Sequence, residues 1–445
     1  MALCPTGEAA VNFLGFLLEV ALSSVAAALL APEAIVAAET FGALLPRRRR
    51  GRVGLQNGRI MAAGTPRVAV LVPAHDEAAQ IGDTVRSLTA QLNPRDRLIV
   101  IADNCDDDTA ARARHAGATV IERKDDQRQG KGFAIGFALE RLAADPPDIV
   151  VVVDADCRVS PGGVGKLARM ARARDRPVQA EYVINPPPNP SPLSVVSGLA
   201  MIIRNRVRSR GLARLGFPCQ LAGTGMAFPW KVLRDAPAMG DELVEDLVMG
   251  LQMALSGHPP VFCPDVRITS ELPQTRGAAI KQRRRWEHGH LQTLVTYFPR
   301  LLAAGVRRRS AALVGMGLDL MVPPLALLVL LQGAVLTAAL LGGLSGATSY
   351  RPAKIACAGL GLLAAGVGTG WLVFGRRVAP LRYVAFIPFY VMWKVPMYLS
   401  LVVRGKQKTW ERTPRRAEEA VAAQVPRSSL GGDPRQRPAL AAVPR

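Results

Sequence analysis

Two aspartates, Asp154 and Asp156, stand two residues apart at the end of the run Ile149-Val-Val-Val-Val153. In extended backbone an i, i+2 spacing sends both carboxylates to one side, able to converge on one hard cation or one polyol. The run before them is β-branched and does not alternate with polar residues. It reads as a strand buried on both faces, central in a parallel α/β sheet. Open α/β sheets bind ligands outside the carboxyl ends of their strands, so the pair lies where a site belongs. The competing explanation is two turn-forming acids that close a buried strand.

The elements around that strand place other chemical groups on the same edge. Val68–Val72 reads as a first strand, Pro73-Ala-His-Asp-Glu77 as its exit loop, and Ile81, Val85, Leu88 and Leu92 as one helix face. Leu98–Ala102 is a second strand, closed by Asp103-Asn104-Cys105-Asp106, and Thr119–Ile121 a third. Gln129-Gly130-Lys131-Gly132 then opens a helix through Leu142. Strand–helix units with short turns predict an α/β fold: a doubly wound, mostly parallel sheet with its carboxyl-end loops on one rim. The rim gathers Glu77, Asp103, Lys131, Asp154 and Asp156. Singly they have ordinary explanations, Glu77 as a first-turn acid stabilised by the helix dipole and Asp103 as a turn former. Gly130-Lys131-Gly132 lacks the spacing and hydroxyl of a phosphate loop, although a lysine at a helix start suits an anion.

Later stretches are also candidates. Leu221-Ala-Gly-Thr-Gly-Met226 sets Thr224 between Gly223 and Gly225, for close backbone approach to a ligand or for a tight strand connection. Asp241, Glu242, Glu245 and Asp246 precede a helix with Leu247, Leu251 and Leu255 on one face, where acids ordinarily cap and balance the dipole. Gln282-Arg-Arg-Arg-Trp286 lies in a basic helix that fits an anionic lipid surface or a nucleic-acid stripe. His288 and His290 read as polar packing or as metal ligands.

The chain has 445 residues, enough for two or three folding units, a formal net charge of +21 and 49% hydrophobic residues. That charge fits nucleic acid, an anionic membrane face or phosphorylated substrates. Nucleic acid is disfavoured, because the basic residues sit beside apolar segments and lack interleaved aromatics. Six scattered cysteines form no close pair, which argues against a zinc site or disulfide framework and for a reducing compartment. Val11 to Leu30 is long enough to cross a bilayer and lacks the basic start of a secretory signal. Arg47–Arg50 and Arg52 follow, which keeps this end cytoplasmic and the amino terminus outside. Ala311–Leu344 is expected to split at Pro323-Pro324 into an interfacial and a crossing helix, and Ala353–Phe374 to cross again. Tyr383–Val403, with Pro388, Lys394 and Pro396 among aromatics, reads as interfacial or re-entrant, since a span there would put the basic tail outside. The tail after Glu418 is expected to be disordered. The expected layout is a membrane helix in 1–45, a catalytic domain in 64–300, a membrane region in 310–405 and a basic tail in 406–445.

Taken in order, these stretches resemble the motifs of the membrane-bound family 2 glycosyltransferases, the group of cellulose, chitin and hyaluronan synthases and ceramide glucosyltransferase. The resemblance runs roughly from Arg67 to Thr296. Pro73–Glu77 resembles the first nucleotide loop, with aspartate where asparagine is more usual. Asp103-Asn104-Cys105 stands in place of a base-reading Asp-Gly-Ser element. Asp154-Ala155-Asp156 matches the metal and sugar-nucleotide motif, and Val244-Glu245-Asp246 the acidic motif that supplies the base. Gln282-Arg-Arg-Arg285-Trp286 is an intact Gln-x-x-Arg-Trp.

The resemblance implies a GT-A-like domain carried by transmembrane and interfacial α-helices. It implies donor contacts from Pro73, Glu77, Asp103, Lys131, Asp154 and Asp156, with Mg²⁺ or Mn²⁺ held by Asp156 and Asp154. Asp246 would be the base and Arg285 the guanidinium on the departing diphosphate. Acceptor contacts would come from Gly223, Thr224, Gly225, Glu245, Gln282 and Trp286, the last as an apolar wall for a sugar. The implied activity is inverting transfer from a nucleotide sugar, UDP first, to a growing polysaccharide at the cytoplasmic face of the plasma membrane. The alternative is transfer of one sugar to a membrane lipid. A non-catalytic, membrane-tethered nucleotide-sugar binding protein is the alternative of another class; it would not need Asp246 and Trp286 together.

Overall fold

The computed structural model describes residues 7–46, 65–237, 243–273 and 275–404. The basic residues Arg47–Arg50 and Arg52, the acids Asp241 and Glu242, and the tail 406–445 lie outside the described residues. The centre is an eight-stranded mixed sheet in the order β3-β2-β1-β4-β7-β6-β8-β5. Its strands are β1 Val68–Ala74, β2 Arg97–Asp103, β3 Thr119–Arg123, β4 Ile149–Val152, β5 Arg158–Val159, β6 Val178–Asn185, β7 Met226–Pro229 and β8 Val261–Glu271. β1 to β4 pair in parallel, β7 is antiparallel to β4 and β6, and β6 runs parallel to β8 with a register shift at Ala180/Glu181.

β1, β2 and β4 are buried on both faces, as their unbroken apolar runs require, whereas β3 at the sheet edge is half-buried to exposed. Val68, Val70 and Val72 of β1 face Ile81, Val85 and Leu88 of the helix Ile81–Thr89. Ala69, Leu71, Val150 and Val152 face Ile135, Ala138 and Leu142 of the helix Lys131–Leu142, and Met249 and Met253 of the helix Glu245–Leu255. The chain winds outward from β1 to β3 and then returns to place β4 on the other side of β1. That reversal opens a crevice at the carboxyl ends of β1 and β4.

Among the described residues, three helices are long and apolar enough to cross a membrane: Asn12–Gly42, Leu325–Leu344 and Arg351–Gly375. The chain breaks at Pro323-Pro324, between the helices Ala311–Met321 and Leu325–Leu344. Tyr383–Val403 falls in the short helices Leu381–Val384, Ile387–Trp393 and Val395–Arg404, each below the length of a span. The first and third long helices run side by side in one direction. Ser349 donates to Glu19 at one end, from Oγ at 2.6 Å and from the backbone N–H at 2.9 Å, and Gly366 packs on Ala37 towards the other. Arg208 ties the bundle to the catalytic domain. Its buried guanidinium meets Glu39 of the first helix at 2.5 Å and Asp319 at 2.6 Å. Breaking one partner from such a buried pair typically costs about 3–5 kcal/mol.

Candidate active site

A cleft of about 580 Å³ opens at the carboxyl ends of β1, β2 and β4. It brings together Pro73, Glu77, Asp103, Lys131, Asp154, Asp156, Glu245, Gln282 and Arg285. The two loops on its β1–β2 side have the same backbone device. Asp76 and Asn104 both sit at φ 52°, in the left-handed region. Asn and Asp tolerate that region best after glycine, which accounts for Asn104 standing where the related motif has glycine. Asp76 accepts from the Asp106 N–H at 2.8 Å, and Asn104 Oδ1 accepts from the Asp125 N–H at 2.8 Å, so the loops are locked together and to β3. Asp103 is buried and paired with Arg123 of β3 at 2.7 Å. Burial pushes its carboxyl above the usual range, with Arg123 opposing the shift. His75 Nδ1 lies 2.6 Å from the Asp103 carbonyl.

Asp154 and Asp156 follow β4 in a turn rather than in the extended backbone the spacing suggests: the Cys157 N–H donates to the Asp154 carbonyl at 3.0 Å. They converge all the same. One carboxylate oxygen of each and Cys157 Sγ all lie within 4.8 Å of one another. The Gly223–Gly225 loop supports this turn from behind. Thr224 is fully buried and its Oγ1 accepts from the Asp154 N–H at 3.0 Å. Gln179 of β6, also buried, holds the loop through the Thr224 carbonyl and the Ala222 N–H, both at 2.9 Å. Gly225 takes φ 66°, and a Cβ there would lie 2.3 Å from Ile268 Cγ1. Thr224 and Gly225 thus position the site from beneath, whereas Gly223 faces it. Lys131 ion-pairs with Asp154 and donates to the Gly223 carbonyl at 2.7 Å.

Glu245 and Asp246 occupy the first turn of the helix Glu245–Leu255, where the dipole favours negative charge. The preceding Val244 offers no side-chain cap. Glu245 lines the cleft. Asp246 Oδ2 lies so close to Gly223 that a Cβ there would meet it at 3.2 Å, with Lys131 Nζ at 3.8 Å. Burial raises the Asp246 carboxyl above its ordinary range, against the opposing pull of Lys131 and Arg204. Burial and then Asp246 raise Glu245 likewise. Desolvation pulls Lys131 down, but Asp154, Glu245 and Asp246 together hold its pKa above the usual lysine value.

The helix Arg276–Arg307 closes the cleft with Gln282 and Arg285. Arg285 Nε is buried with no hydrogen-bond partner among the described residues. Successive residues on a helix are turned by about 100°, and Trp286 points away from the cleft into a second cavity. Arg283 faces that cavity too, buried beside Ser197, Tyr390 and Trp393. His290 Nε2 lies 3.0 Å from the Val322 carbonyl, and neither His288 nor His290 belongs to a cluster of metal-capable groups among the described residues.

A family model described as "Glycosyltransferase like family 2" matches residues 66–289, half of the chain, and spans every group of the cleft. The chain belongs to that family. It is 39% identical over 95 residues to a glucosyl-3-phosphoglycerate synthase of Mycolicibacterium paratuberculosis, covering 20% of this chain and 28% of that protein. The same-named protein of Mycobacterium tuberculosis is 36% identical over 112 residues, covering 24% and 34%. The chain thus spans about a third or less of the length of these relatives. Among solved structures, the mannosyltransferase PcManGT from Pyrobaculum calidifontis, in complex with GDP-Man and Mn²⁺, superposes with a TM-score of 0.51 at 18% identity. That likeness covers 86% of this chain and all of the other, and it places the α/β sheet among GT-A-like folds.

For a family 2 domain the donor set at Asp154 and Asp156 fits a hard divalent cation. Two carboxylates supply the oxygen ligands that Mg²⁺ and Mn²⁺ prefer. Cys157 is a soft ligand beside two hard ones, and its buried Sγ donates to Asp156 Oδ1 at 3.5 Å. The other metal-capable group, Asp76, Cys105 and Asp107, is held by its own loop: Asp107 accepts from the N–H groups of Ala78 and Thr109. Arg123, Gln179 and Arg204 are functional neighbours that the sequence reading passed over. Each acts through a partner 20 or more residues away, and only Arg204, in a run of alternating arginines, left a trace in the sequence.

Proposed function

We propose that this family 2 chain is an integral membrane glycosyltransferase of the membrane-bound group, metal-dependent and inverting, with its catalytic domain on the cytoplasmic side. A nucleotide sugar lies in the cleft, its base beside Asp103 and Asn104 and its diphosphate beside Lys131, Arg285 and the Asp154–Asp156 turn. The acceptor hydroxyl approaches past Gly223. Asp246 takes the hydroxyl proton as the acceptor oxygen bonds to the anomeric carbon. The bond from that carbon to the diphosphate breaks, and its electron pair leaves with the nucleoside diphosphate. A divalent cation at Asp156 and Asp154 would neutralise charge on that leaving group. Arg285 supplies a fixed fork of donors for the same charge, and Lys131 a compact one.

The observation that carries this reading is the convergence of Asp246 Oδ2 and Lys131 Nζ on Gly223, with Lys131 paired to Asp154, next to the cleft that Glu245, Lys131 and Arg285 line. One carboxylate base beside a donor cleft that Lys131 and Arg285 line suits a single displacement. The parallel course of the first and third long helices supports the orientation. It puts the amino-terminal end of the first helix and the Ser349 turn on one side, and the catalytic domain on the other.

Full-length protein in nanodiscs, titrated with UDP and GDP sugars in Mn²⁺ and in chelator, tests the donor side. Asp156→Ala should abolish the metal dependence of nucleotide binding. Asp246→Asn should keep nucleotide binding and lose about 10²–10⁴-fold in transfer, the usual worth of a general base. Loss of nucleotide binding in a folded Asp246→Asn variant would reject the assignment of the base.

A further inference from the structure

The helix Arg276–Arg307 faces two ways. Gln282 and Arg285 line the donor cleft, whereas Arg283, Trp286 and Glu287 line the cavity behind it. From that far side one segment of chain, the helices Ile387–Trp393 and Val395–Arg404, holds the helix at two points a turn apart. At the first, Arg283 lies over the rings of Tyr390 at 5.5 Å and Trp393 at 5.4 Å. At the second, Lys394 ion-pairs with Glu287, both side chains being largely buried. Tyr398 donates from its hydroxyl to the other Glu287 oxygen at 2.6 Å. Lys394 thus points inward, 4% exposed, on the side of the segment away from water. The other side carries Phe389, Met392 and Leu399, all exposed, the apolar face of a helix that rests on lipid.

We propose that Lys394 and Tyr398 are positioning residues for transfer: through Glu287 they fix the rotation of the helix Arg276–Arg307 and so aim the Arg285 guanidinium at the donor diphosphate. The inference rests on the transferase reading and adds the residues that set the geometry of Arg285. Arg285 Nε has no hydrogen-bond partner among the described residues, so its aim is inherited from the helix that carries it. Arg285 lies between Arg283 and Glu287 in sequence and about 200° round the helix from either. A rotation that freed Glu287 would therefore swing Arg285 out of the cleft by the same angle. A guanidinium fork on a phosphate depends on such geometry, and a misplacement of about 1 Å costs about 10²-fold. Stability alone does not account for the buried pair, since apolar side chains of the same volume hold a fold as well or better. What Lys394 and Glu287 supply is one fixed arrangement of two helices.

The test uses full-length protein in nanodiscs and measures initial release of nucleotide from UDP and GDP sugars. Tyr398→Phe removes one hydrogen bond and no charge. It should lower kcat about three- to tenfold while KM for the donor stays within about twofold. Glu287→Leu combined with Lys394→Met replaces the ion pair by apolar side chains. That variant should melt no lower than wild type and still lose about 10²-fold in kcat, which separates aim from stability. The deciding readout is dependence on Arg285. In an Arg285→Lys background there is no fork left to aim, so Tyr398→Phe should change kcat by less than about twofold. Losses that multiply in that double variant would show that Tyr398 acts elsewhere and would overturn the proposal. Wild-type kcat in the Glu287→Leu, Lys394→Met variant would overturn it too, and both results leave the transferase reading intact. Failure of wild type to release nucleotide from any donor would sink the transferase reading and the positioning role with it.

Discussion

Gly223 offers the sharpest separation of catalysis from stability, because the chain contains its own control. Gly223 has φ 85° and Gly117 has φ 96°, both in the region that side chains rarely adopt. Alanine at either position therefore carries about 1–2 kcal/mol of backbone strain. The surroundings differ. A Cβ at Gly117 meets nothing within 4 Å, whereas at Gly223 it meets Asp246 Oδ2 at 3.2 Å and Lys131 Nζ at 3.8 Å. The carboxylate must give way by a few tenths of an ångström. A 1 Å misplacement costs about 10²-fold, so this shift should cost about three- to tenfold in kcat. Both variants should melt lower by about 2–4 °C per kcal/mol, the scale for a unit of this size. Thermal unfolding in detergent and initial rates of nucleotide release measure the two effects. Gly117→Ala should keep kcat within about twofold while Gly223→Ala loses it. Equal rates in the two variants at matched stability would show that Asp246 does not depend on this contact, and the assignment of the base would go with it.

Burial holds the Asp246 carboxyl above its ordinary range, and the base must be ionised. Activity should therefore rise with pH through an apparent pKa above the usual aspartate value of about 3.9. Arg204→Gln removes a cation that lowers that pKa and should move the acidic limb of kcat/KM to higher pH; a limb that stays put would refute the coupling. Arg285→Lys keeps the charge but not the fork, and should lower kcat about 10²-fold, whereas Lys281→Arg, exposed on the same helix, should be neutral in the same transfer assay. In a cysteine-free background, Ser349→Cys should react with an impermeant maleimide from outside the cell, and protection there would reverse the proposed orientation.

The cleft edge formed by β1, β2 and β4 was legible because its signals are local. An unbroken β-branched run fixes β4, and the carboxyl ends of neighbouring parallel strands must share an edge, so Glu77, Asp103 and Asp154 could be gathered without coordinates. The second half of the sheet was not. β7 is four residues long, β8 contains Pro264, and β6 shifts register at Ala180/Glu181, so none presents a clean period. The role of Thr224 needs Gln179 and Asp154, 45 and 70 residues distant, and no local pattern carries such a pairing. Arg283 illustrates another limit. Its neighbours in sequence suggest an interchangeable surface charge, but the helix phase buries it against Ser197, Tyr390 and Trp393.

The junction at Arg208 bears on how the enzyme would meet membranes of different composition. A catalytic domain on a loose tether rides at whatever height the headgroups allow. Here Glu39 and Asp319 clamp one guanidinium, and Gly211 lets the helix Ser209–Leu215 approach so closely that a Cβ would lie 1.8 Å from the Glu39 carbonyl. With the three long helices in a bilayer, as proposed, this junction would hold the cleft at a set height above the midplane. The bilayer would then adjust to the protein, by stretching or thinning around the anchor at a modest cost for each ångström of mismatch. Turnover then becomes a function of acyl-chain length, and the clamp acts as a ruler: the same enzyme should run fastest in the membrane whose thickness matches its fixed stature.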